Sequence, residues 1–209
     1  MLKAILTVAA AAALLAVGCD SNTGPIFPMT VGSTWHTESS LLEGAATAAL
    51  DTIETAVATT TASEKASLAN GKEVLKFTNE TTVHQRSPES TYTTTSYWLL
   101  REEGGVIRFY AALDDTVGDT VMMSEPAVGQ TWSMGVGTSL VIGQEDVTVP
   151  AGTYKKAWKV KTVTNLGIVT LEMYSWYARG VGNVKNHQEA VYEGRNQVFD
   201  EELTSANIK

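Results

Sequence analysis

The chain has almost no cysteine, a shortage of positive charge and no long apolar run. Its 209 residues include one cysteine, Cys19. One cysteine cannot close an intramolecular disulfide, so the chain is no disulfide scaffold. Nor can it build a cysteine-rich zinc site. Lys and Arg number 15 against 23 Asp and Glu, a net charge of −8. An acidic chain lacks the basic footprint that nucleic acid requires. The longest apolar run covers residues 4–17 (AILTVAAAAALLAV), broken by Thr7. A spanning helix needs about twenty such residues. Catalytic motifs are missing too. His36, His84 and His187 are far apart and show no metal-binding spacing. No serine lies in Gly-x-Ser-x-Gly. Gly135-Val136-Gly137 is followed by Thr138-Ser139-Leu140, so the third glycine of a dinucleotide fingerprint is absent. The sequence therefore assigns no catalytic residue, cofactor or metal.

What is present begins with an export signal. Met1 and Lys3 give a positive start, and small residues follow the apolar middle. Without residues 1–18 the net charge is −9. The run closes on Leu15-Ala16-Val17-Gly18-Cys19. This resembles a bacterial lipoprotein signal, although Ala16 stands where Leu is commonest. The resemblance implies lipid attachment at Cys19, a membrane as partner, and an exported protein. An ordinary secretory cut would instead leave Cys19 a free thiol, and an unpaired exported cysteine calls for a reason. Asp20 resembles an enterobacterial inner-membrane retention signal, a rule that does not hold in all bacteria, so inner or outer membrane stays open. Three parts are expected: a signal peptide (1–18), a lipidated N-terminus and short polar tether (19–28), and one domain (29–209).

The domain reads as all-β, an antiparallel open or closed barrel or a strongly curved sheet. Threonine occurs 28 times, and its β-branched side chain suits a pleated surface. In 91–101 (TYTTTSYWLLR), Tyr92, Thr94, Ser96, Trp98 and Leu100 share one face. Gly104-Gly105 then separates that run from 106–112, a hairpin pattern. Further strands are expected over 72–84, 145–149, 153–164 and 168–178, with Asn165-Leu166-Gly167 between the last two. Such short connections exclude parallel crossovers. The stretch 41–58 is ambiguous. Leu42, Ala46, Ala49, Leu50, Ile53 and Val57 fit a helical face, while 50–61 also alternates and ends in threonines, which favours strand.

A short repeat appears: Val31-Gly-Ser-Thr-Trp35 and Val128-Gly-Gln-Thr-Trp132, after Pro28 and Pro126. A repeated ligand contact and a repeated packing device both fit, and packing is the more economical reading. Three segments, 28–35 (PMTVGSTW), 147–158 (VTVPAGTYKKAW) and 174–185 (YSWYARGVGNVK), resemble a group of bacterial envelope lipoproteins of unknown function. That resemblance implies a β-rich open barrel, in some relatives similar in shape to the lipoprotein carriers of the outer-membrane sorting pathway. It implies a fold more than an activity.

Candidate contacts follow from chemistry. Trp98, Trp132, Trp158, Trp176 and Met173, with Tyr92, Tyr174, Met122 and Met123, are candidates to line an inner apolar surface, where Met adapts to varied ligands. Ordinary core packing is the competing reading. Lys155, Lys159 and Lys161 fall on one strand face, opposite Tyr154, Lys156, Trp158 and Val160. They are candidate contacts for an anionic partner; a solvated face is the alternative. Asp114, Asp115 and Asp119 around Gly118 suggest calcium or, more simply, a solvated turn. The expected function is a non-enzymatic, membrane-anchored envelope module binding an apolar ligand or a protein partner. A hydrolase with a site assembled by the fold and a purely structural lipoprotein are the alternatives.

Overall fold

A computed structural model describes residues 24–45, 48–135, 137–166, 170–192 and 194–209. Cys19 and the signal peptide lie outside the described residues, as do residues 46–47 and most of the 166–169 connection. Twelve strands run in chain order: β1 (Thr34–Ala45), β2 (Asp51–Ser67), β3 (Glu73–Arg86), β4 (Glu89–Glu103), β5 (Val106–Tyr110), β6 (Asp119–Met123), β7 (Thr131–Met134), β8 (Gly137–Val149), β9 (Gly152–Asn165), β10 (Thr170–Ala178), β11 (Gly182–Tyr192) and β12 (Arg195–Asn207). No helix occurs among the described residues. The strands form one antiparallel sheet in the order β6-β5-β4-β3-β2-β1-β12-β11-β10-β9-β8-β7. β6 and β7, the two edges, touch without a ladder between them. The result is a nearly closed barrel.

The expected hairpin at Gly104-Gly105 is present, with both glycines at positive φ. The ambiguous 41–58 is strand on both sides of a connection, in β1 and β2. Threonine suits this arrangement. Thr82 faces Thr93 across β3 and β4, and their hydroxyls bond at 3.0 Å.

The five-residue repeat builds the same turn twice. Gly32 and Gly129 both take φ of +88°, a conformation that favours glycine. Gly32 N–H donates to Ala62 O, and Ser33 O accepts Ala62 N–H. Gly129 and Gln130 bracket Val141 in the same way. Ala62 and Val141 are both 0% exposed. Each turn leads into a strand that opens on a tryptophan, Trp35 in β1 and Trp132 in β7. The barrel is thus two six-strand meanders, β1–β6 and β7–β12, each begun by the same turn. The β12–β1 junction is hydrogen-bonded; the corresponding β6–β7 junction is not.

Residues 24–28, expected as tether, belong to the domain. Ile26 is 1% exposed, and Phe27 and Met29 pack on the core. The segment 24–33 crosses one end of the barrel as a strap. Pro25 O accepts the Gly180 N–H at 2.7 Å on one side, and Gly32 meets Ala62 on the other. An apolar Ile-Phe pair gains more from burial than from water, which is why the tether ends sooner than its prolines suggested.

The core is continuous, running from Ile26 and Trp35 through Phe77, Leu100, Ile107 and Met122 to Val141, Val160, Val184 and Leu203. A satellite cluster of Leu68, Val74, Leu99 and Tyr110 covers the outside of β4. Gly118 belongs here. A Cβ at that position would lie 2.7 Å from Tyr110 Cζ and 2.9 Å from Phe109 O, so the ring leaves room for glycine alone. Asp115, in the same loop, accepts the N–H groups of Ala111 and Ala112 at 2.8 and 2.9 Å. The loop is therefore a carboxylate-capped turn. Among the described residues no cluster of three metal-binding side chains occurs.

Candidate functional site

Inside the barrel, next to the strap, lies a cavity of about 390 Å³. Its two sides differ in chemistry. The strap, β1 and β3–β6 supply Phe27, Trp35, Phe77, Trp98, Leu100, Phe109, Val121 and Met122. The rings form a connected cluster around Phe77. Trp98 stacks on it at 6.2 Å with an interplanar angle of 4°, Trp35 lies at 5.8 Å, and Phe27 approaches edge-on at 6.1 Å. Trp35 is held in place by its indole N–H, which donates to Val181 O at 2.7 Å.

The other side, from β10–β12 with Thr37 and Thr60, is polar apart from Met173. Its centre is Glu201. Thr37 Oγ1 donates to Glu201 Oε1 at 3.1 Å, and Asn186 Nδ2 donates to Oε2 at 2.7 Å. Asn183 Nδ2 donates in turn to Asn186 Oδ1 at 3.0 Å. Tyr177 bonds Ser175 and Asn183. Burial pushes the Tyr177 phenol above its ordinary 10.0, so it stays a neutral donor. Among the described residues, no lysine, arginine or histidine lines the cavity.

Of the candidate apolar contacts, Trp98 and Met173 line the cavity; Trp132, Trp158 and Trp176 do not. Strand alternation is the reason for Trp176. Met173, Ser175 and Tyr177 point one way from β10, so Tyr174 and Trp176 point the other. Trp176 is committed to polar partners there: its Nε1 donates to Glu145 at 2.7 Å, and Lys159 sits 4.8 Å from its ring centre. Trp132 is in the core and Trp158 packs against it. Both bury an indole N–H that has no partner among the described residues. Tyr92 is 44% exposed, on a stretch of β4 that β5 does not reach.

The lysine candidates are already engaged. Lys155 pairs with Asp146 at 2.7 Å, Lys159 with Glu145 at 3.0 Å, and Lys161 with Glu172 at 2.7 Å. A bulge accounts for the departure from simple alternation. Lys155 and Lys156 together face Asp146, Lys156 takes φ of +52°, and Asp146 Oδ1 accepts its N–H at 3.0 Å. Lys156, expected on the packed face with Tyr154 and Val160, is exposed as a result. The histidines are likewise spoken for. His36 and His84 each meet a threonine hydroxyl through Nδ1, Thr59 at 3.0 Å and Thr91 at 2.9 Å, and His187 meets Asp200 at 2.7 Å and Glu189 at 3.3 Å, one at each ring nitrogen.

These pairs set a pH dependence. The Trp176 indole and then the Lys159 ammonium hold Glu145 below its ordinary 4.5. The Lys155 ammonium and the Lys156 N–H hold Asp146 below 3.8. Carboxylates lowered in the fold stabilise it above their ordinary values. That contribution is lost as pH falls through the lower folded values. Thermal melts between about pH 6 and pH 3 are expected to show a falling Tm below 4.5, with a shallower fall for Trp176→Phe, which removes the first donor to Glu145. An identical acid limb in the variant would refute this assignment.

Residues 111–199 match the DUF3108-like family. The chain is similar to that family from the β5–β6 loop into β12. Two of the three segments that carried the lipoprotein resemblance, 147–158 and 174–185, fall inside the match. No curated protein matches the sequence. The crystal structure of a protein from Bacteroides fragilis NCTC 9343, described as exported and as having a YmcC-like fold, is similar at a TM-score of 0.53. It is 13% identical, over 88% of this chain and 100% of that one. The likeness supports the all-β barrel. A second crystal structure, described as a lipoprotein from Parabacteroides distasonis ATCC 8503, is similar at a TM-score of 0.46. It is 14% identical, over 89% of this chain and 100% of that one.

Proposed function

We propose that the protein is an exported, lipid-anchored envelope module that binds an apolar ligand in its barrel and performs no covalent chemistry. The observation that carries this is the cavity itself. A space of about 390 Å³ falls in the range of small-molecule sites, and one side is a continuous aromatic and aliphatic surface. Apolar burial there supplies binding energy of roughly 25 cal/mol per Å², and the fixed polar groups opposite supply orientation. Three things support the envelope location: the export pattern of residues 1–18, Cys19 at its end, and the description carried by the structural neighbour from Bacteroides fragilis. A hydrolase would need a nucleophile, a base and an oxyanion donor converging on one cleft. The cavity offers Ser175 beside Tyr177 and asparagines, and no histidine or lysine.

The test is lipid extraction and mass spectrometry of protein purified from its own membranes. An apolar molecule at near-stoichiometric amount is expected from the native protein. It should be lost in Val121→Trp, which fills the cavity from β6. Recovery of no apolar molecule, or equal recovery from the variant, would overturn the proposal.

A further inference from the structure

Glu201 faces a cavity whose opposite wall is aromatic, and it has no cationic partner. Its two oxygens accept from neutral donors, Thr37 and Asn186. Among the described residues no ion pair includes it, although its neighbours on either side are paired: Glu202 with Lys185 and Asp200 with His187. Those two point out of the barrel, and Glu201 points in. A carboxylate beside apolar surface is costly unless a positive charge meets it. The rest of the polar wall adds no positive charge: Ser175, Tyr177, Asn183 and Asn186 are neutral. An anionic head such as a fatty acid carboxylate or a phosphate would meet Glu201 with like charge and find no cation to bind it.

Resting on the reading of this cavity as an apolar-ligand site, we infer that the ligand is an amphiphile with a cationic, hydrogen-donating head. Its chain lies along Phe77, Trp98 and Phe109, and its ammonium donates to Glu201. Tyr177 and Asn183 are placed to orient the head, while Met173 adapts to the chain.

A head-group series on one chain length tests this. Decylamine, decanol and decanoate, each below its micellar concentration, are titrated into the purified protein at 0.15 M salt while tryptophan fluorescence reports on Trp35 and Trp98. The amine is expected to bind about tenfold more tightly than the alcohol and the carboxylate more weakly than either. Glu201→Gln should lower amine affinity to that of decanol. A charge-matched control on the outer surface, Glu64→Gln, should retain the amine preference. Glu201→Lys should reverse the order in favour of decanoate. Equal binding of all three ligands overturns the head-group assignment and leaves the apolar site standing. An amine preference that persists in Glu201→Gln does the same. Failure of all three to bind overturns both. The wild-type series decides even where a variant does not fold.

Discussion

Phe77→Ala is expected to cost about 3–5 kcal/mol of stability, the range for emptying a large aromatic from a packed interior. Phe77 is 1% exposed and stands at the centre of the ring cluster, in contact with Phe27, Trp35 and Trp98. It ties together three parts of the chain that are distant in sequence: the strap, β1 and the β3–β4 pair. Removing it widens the cavity on its apolar side and leaves Trp98 without its stacking partner. The neighbours cannot collapse inward readily, because Trp35 is pinned by its bond to Val181. Urea unfolding followed by circular dichroism measures the effect as a lower midpoint. Tyr92→Ala, on the exposed part of β4, should stay within about 0.5 kcal/mol of the parent. A midpoint in Phe77→Ala as high as in Tyr92→Ala would show that the cluster does not hold the barrel together.

Cys19→Ser is expected to move the protein almost completely from the membrane fraction to the soluble one. Each buried methylene of an acyl chain contributes about 0.8 kcal/mol, and stable anchoring takes more than one chain. Losing all chains at once therefore leaves nothing comparable to hold the protein. Many exposed strand positions carry threonine, glutamate and lysine. Fractionation, with intact mass measurement of the N-terminal peptide, reads both the location and the missing acyl mass. A variant that stays in the membrane fraction would remove the lipoprotein reading.

Much of the barrel was legible because its strands follow simple rules. Alternation over 91–101, the glycine pair at 104–105 and the gap between the strands expected at 145–149 and 153–164 all correspond to the observed hairpins. The tryptophan repeat was legible too, since both copies depend on the same glycine conformation. The cavity was much less so. Asn183 and Asn186 have opposite parity and should face opposite sides of a regular strand. A register shift in β11, where Trp176 pairs with Lys185 and Tyr177 with Asn183, leaves Val184 unpaired and turns both asparagines inward. No composition rule anticipates such a bulge. Glu201 did leave a trace. It lies two residues from Leu203, which is 1% exposed, so alternation alone places a carboxylate on the inward face of β12. Trp176 and Met173 differ in parity along β10, so alternation puts them on opposite faces, and Met173 alone of the two lines the cavity.

The strap also sets a leash. Cys19 stands seven residues before Ile26, the first deeply buried side chain among the described residues. Fully extended, that many residues reach at most about 25 Å. With Cys19 acylated as proposed, the barrel cannot drift far into the surrounding space, and it cannot present its two ends to the bilayer equally. In that case the end crossed by residues 24–33 stands nearest the lipid, and Phe27 in the strap is also part of the cavity wall.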